Sequence, residues 1–171
     1  MRWPSKPRSM QAMHKPTYLL SVLLMSASAV FAAPVVLEQP LPTLTLQDQH
    51  TQPWGIKADT RLVVFAAGRK PSNVVMEVLG AQAKGFLESR QAVYVADMSR
   101  MPGFVTRTFA LPALRDQPFV VGVNLDDKQL ADWPRQEDAI TLIRLETGRV
   151  NSIAYVRTAG ELKSALGIAT P

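Results

Sequence analysis

Cysteine is missing from all 171 residues. That excludes a disulfide, a thiolate nucleophile, a thiolate zinc site, an iron–sulfur cluster and a cysteine-borne lipid anchor. Histidine is nearly as scarce, with only His14 and His50. A Ser-His-Asp triad would have to rely on His50, which falls in the turn of a peripheral hairpin and is poorly placed as a base. Metal ligands are equally thin, because Asp126-Asp127 lacks the spacing of a calcium loop. No G-x-G-x-x-G follows a strand, so neither a flavin nor any other cofactor is expected. What remains is 47% hydrophobic and 19% charged, a balance that suits one globular domain with a sizeable core.

The first sixteen residues carry Arg2, Lys6, Arg8 and Lys15 and no acid, and an uncharged apolar run, Tyr18 to Phe31, follows. This pattern predicts a secretory signal peptide over residues 1–32, cut after Ala32, with Met10 or Met13 as alternative starts. The apolar run is shorter than the ~20 residues a spanning helix needs, so no stable membrane anchor is expected after cleavage. The expected location is periplasmic or secreted. Of the 19 basic residues four lie in the leader, leaving 15 against 14 acidic, a net of +1. The basic character of the whole chain therefore belongs to the leader, and nucleic-acid binding loses its main warrant.

Prolines 34, 40 and 42 mark residues 33–42 as an extended lead-in to one domain over 43–171. Leu44 and Leu46 alternate with polar residues and predict a strand that turns back through a second around Trp54 and Ile56. Continuous apolar runs at Leu62–Ala66, Ala92–Ala96 and Phe119–Val123 predict strands covered on both faces, the first two joined by a helix with Ser72 or Asn73 as N-cap. That helix weakens at Gly80 and Gly85 and resumes at Phe86. A further helix is expected from Phe104 until Pro112 kinks or restarts it, and a short one from Asp126-Asp127 to Trp133. Ile140–Leu145 and Val150–Val156 flank Glu146-Thr147-Gly148-Arg149 and predict a hairpin. Thr158-Ala159-Gly160-Glu161 matches a capping box for a last helix that stops at Gly167.

This order of elements resembles the thioredoxin-like fold in its peroxiredoxin and thiol-disulfide oxidoreductase form. Leu44–Asp48 through Trp54 looks like the opening hairpin, Leu62–Ala67 like the first core strand, Phe119–Asp127 like the extra strand of the peroxiredoxin branch, and Ala139–Val150 like the closing hairpin. The resemblance implies an α/β fold, with a central mixed sheet flanked by helices. It also implies a cysteine pair five and eight residues beyond Phe65, where this chain has Lys70 and Asn73. A cis-proline is implied near Asp138 to Thr141, where this chain has none. Thiol-disulfide exchange and peroxidase activity are thereby excluded. The Ala67-Gly68-Arg69 step is similar to one shared by small exported, cysteine-free proteins of the YtfJ type.

Gly68, Arg69, Lys70, Ser72 and Asn73 lie where a strand's carboxyl end meets a helix N-terminus, a setting that favours an anion. Arg100, after the second parallel strand, is expected on the same edge. If these side chains converge on one point, they form a cradle for a small anionic ligand or an acidic segment of a protein partner. In the plainer alternative Ser72 or Asn73 only caps the helix and the cations stand in solvent. Asp97 is expected to pair with Arg69 or Arg100. Met98 and Met101 either line an adaptable groove or fill the core, and Trp54, Trp133, Tyr94 and Tyr155 are expected to pack. The function expected is that of a redox-inactive binding or accessory protein, more readily than an enzyme. Its rivals are a non-thiol enzyme using the same loop and a structural protein acting through the Trp54 hairpin.

Overall fold

The computed structural model describes residues 34–169, so the expected leader and its cleavage site lie outside the described residues. Seven strands form one sheet in the order β2-β1-β5-β4-β3-β6-β7. The apolar runs β3 (Leu62–Ala67), β4 (Ala92–Asp97) and β5 (Val121–Asn124) make its parallel centre. An antiparallel hairpin closes each side, β1 (Thr45–Asp48) with β2 (Pro53–Gly55) and β6 (Ile140–Glu146) with β7 (Arg149–Val156). The β6–β7 turn needs two residues at positive φ, Thr147 at 48° and Gly148 at 77°.

Because side chains alternate across a strand, the sheet supports two cores. On one face Val64, Ala66, Tyr94 and Ala96 pack with α1 (Arg69–Gly80), with Leu114 of the helical segment after β4 and with Leu162 of the last helix. On the other, Val63, Phe65 and Val95 pack with Leu130 and Trp133, and the Trp133 ring meets Phe65 edge-on at 5.2 Å. Residues 34–42 add Val35 and Leu41 to this second core and are tied to β7 by backbone bonds from Glu38 to Val150 and from Val150 to Gln39. The lead-in is thus built into the domain, with a turn at Glu38, whose φ is 63°.

Two expected helices differ. The short α2 (Phe86–Ser89) precedes β4, and after β4 the chain forms three joined helical pieces: α3 (Gly103–Val105), a π-helical turn (Thr106–Ala110) and α4 (Leu111–Arg115). The wide turn closes on a bond from the Leu111 N–H to the Thr106 carbonyl. Pro112 therefore enters the first turn of a new α-segment, where its missing N–H costs nothing. Residues 126–133 form successive turns in place of the expected helix. Asn124 Oδ1 accepts from the Asp126 N–H and Asp126 Oδ1 from the Lys128 N–H, local bonds that compete with helix. The last helix, α5 (Ala159–Ala165), carries the expected capping box and ends at Gly167, with φ 66°.

Candidate functional site

The strand carboxyl ends of β3 and β4 meet the N-terminus of α1 directly. Gly68, at φ 97° and ψ 175°, turns the chain straight from β3 into the helix, so α1 begins at Arg69. Ser72 and Asn73 lie inside the helix and do not cap it; no side chain does. Pro71 sits in the first turn, where an N–H would lack an intrahelical acceptor anyway.

The six expected binding residues do not form one cradle. Gly68 and Arg100 line a polar concavity of about 390 Å³ whose other walls include Asp97, Arg135, Glu137 and Asp138. Arg69, Ser72 and Asn73 line a second, apolar concavity of about 420 Å³ between α1 and the α3–α4 segment. Lys70 reaches neither point of convergence. Its Nζ donates at 2.5 Å to Oδ2 of Asp138, which lines the polar concavity. The Asp138 hydrogen bond, then its charge, raises the Lys70 ammonium above its ordinary value. Asp138 holds φ 55°, a strained setting that an aspartate tolerates better than most residues. Lys70 thus pairs across to Asp138, while Ser72 lines the other concavity.

Asp97 is the buried floor of the polar concavity, and it pairs with Arg135, not with Arg69 or Arg100. Arg135 Nη1 donates to Asp97 Oδ2 at 2.9 Å. Asp97 Oδ1 accepts from the Ser99 N–H and hydroxyl and from Asn124 Nδ2, so both oxygens are engaged. Arg135 lies over the Phe65 ring at 5.4 Å and donates to the Leu130 carbonyl, while Thr141 Oγ1 bonds the Pro134 carbonyl at 2.8 Å. This network pins residues 125–139 over the sheet. Arg135 escaped the sequence reading because it is 38 positions from Asp97, in a loop without periodicity; only its place beside Trp133-Pro134 hinted at burial.

The apolar concavity has Met76, Met98 and Met101 in its wall, with Phe109 at its rim. Both sequence alternatives for the methionines therefore hold in part, because Met98 is also buried in the core. Beneath lies Tyr94, fully buried, whose Oη makes no hydrogen bond among the described residues. Burial pushes its phenol up to about 12; the Ser72 hydroxyl stands close enough to oppose that rise but lacks full bonding geometry. Trp54 packs its ring over Gly122, where an added Cβ would come within 2.4 Å. His50 is exposed in the β1–β2 turn, away from both concavities. Among the described residues no three His, Asp or Glu side chains gather where they could hold a metal ion.

The chain matches no protein-family profile and no curated protein. Solved structures do resemble it. One is a thiol:disulfide interchange protein DsbE from Chlorobium tepidum, with a TM-score of 0.53 and 14% identity over 78% of this chain and 94% of that one. Another is a solution structure described as a protein disulfide isomerase of Bacteroides thetaiotaomicron, with a TM-score of 0.50 and 11% identity over 80% of this chain and 89% of that one. At such identities the likeness speaks for architecture alone, and with the mixed seven-stranded sheet flanked by helices it gives this cysteine-free chain a thioredoxin-like fold.

Proposed function

We propose that this chain is an exported, redox-inactive thioredoxin-fold protein, of the kind seen in the YtfJ-type proteins, that serves by binding at the edge where a thiol site would stand. The observation that carries this reading is the Lys70–Asp138 pair. It joins the place where the resemblance puts a cysteine to the place where it puts a cis-proline, so a charge contact replaces the exchange chemistry. Arg69 and Arg100 are exposed, and neither is in an ion pair among the described residues. A partner with an acidic or anionic group is the complement of such an edge.

Two measurements test the reading. The purified protein should neither reduce insulin nor consume peroxide above the blank rate. Immobilised protein should retain a partner from an extracytoplasmic extract, and Lys70→Glu with Arg100→Glu should release it while circular dichroism stays unchanged. Turnover in the first assay, or retention that ignores both charge reversals, would overturn the proposal.

A further inference from the structure

All three methionines of the described residues, Met76, Met98 and Met101, line the same concavity. Met76 comes from α1, while Met98 and Met101 belong to the turn after β4 that the Met101 N–H closes on the Met98 carbonyl. Unbranched thioethers adapt to differently shaped apolar guests, and a volume of about 420 Å³ lies in the range of small-molecule sites. The charge of the wall has one sign: Arg69 lines it and no Asp or Glu does, in contrast to the polar concavity with its three carboxylates. The uncapped first turn of α1 lies at the same end as Arg69. Tyr94, fully buried, packs in the same core as Met98 and Leu114 of the wall.

We propose that this groove binds small amphiphilic carboxylates, with the aliphatic body among the three methionines and the carboxylate at Arg69 and the first turn of α1. The assignment rests on the reading that the α1 edge is a binding edge, and it names the ligand class for one half of it. Charge complementarity selects the carboxylate, and the apolar wall selects the chain.

The probe is decanoate, kept below its micelle concentration, titrated into the full protein carrying ¹³C-methyl methionine, with signals assigned by single Met→Leu replacements. Decanoate should shift the Met76, Met98 and Met101 methyls saturably, and acetate at the same concentration should move none of them. Arg69→Gln should weaken decanoate about tenfold while leaving decanol unchanged, since only the charge-assisted contact is lost. Arg69 is exposed, so this variant keeps its fold. Silent methionine signals would overturn the assignment. So would equal affinity for decanoate in wild type and Arg69→Gln, which would make the groove a plain apolar sink. If the methionines stay silent while Lys70→Glu with Arg100→Glu still releases a partner, the groove assignment falls and the edge reading stands.

Discussion

Asp97 receives donors on both oxygens from Ser99, Asn124 and Arg135, and its side chain is 4% exposed. Removing it would leave Arg135 half-enclosed over Phe65 without a counter-charge. Asp97→Ala should therefore lower stability by about 3 kcal/mol in urea unfolding, and amide exchange should show residues 125–139 loosening first. Tyr94 invites the opposite result. Its hydroxyl is buried without a partner, so Tyr94→Phe should be neutral or stabilising by about 1 kcal/mol. The pH dependence follows from the raised phenol. Unfolded chains ionise near 10 and the folded one near 12, so the Tyr94 contribution is whole below pH 10 and is lost across that window. The raised Lys70 ammonium acts in the same direction, intact below 10.5 and lost as pH climbs through its folded value. Unfolding curves between pH 9 and 12 should fall less steeply for Tyr94→Phe than for wild type. At this scale the sequence revealed types more readily than partners. Lys70 was visible as the residue in a cysteine's place, but its bond to Asp138, like that of Asp97 to Arg135, depends on a loop returning across the sheet.

Strands were the most legible elements, because β3, β4 and β5 grow from continuous apolar runs that a doubly covered sheet accommodates. The capping box of α5 was equally plain. Elements failed to be legible where side chains bond their own backbone, as at Asn124 and Asp126, or where a glycine shortens a connection to nothing, as Gly68 does before α1. Pro112 signalled a disturbance, and the π-turn that absorbs it has no signature in residue type. The β1–β2 hairpin is held to β5 by Trp54 lying on Gly122. Gly122→Ala would drive a methyl into the indole and should cost roughly 2 kcal/mol, and the cost should shrink in a Trp54→Ala background, as a double-mutant cycle in denaturant would show.

Across the described residues two cores lie back to back on one sheet, and the lead-in belongs to the second. Val35 is 8% exposed there, and its neighbours Glu38, Gln39 and Leu41 bond the β6–β7 hairpin. Val35→Ser should cost about 1 kcal/mol and expose the Glu38, Leu41 and Val150 amides to exchange without affecting the α1 edge, because the sheet separates the two.

Sulfur, finally, lies near the α1 edge as thioether and not as thiol, with a different oxidation chemistry. Thiols there would cycle electrons; thioethers at positions 76, 98 and 101 only accept oxygen, each becoming a polar sulfoxide. Oxidation there would make one apolar wall polar, and the adaptability of the groove would go with it.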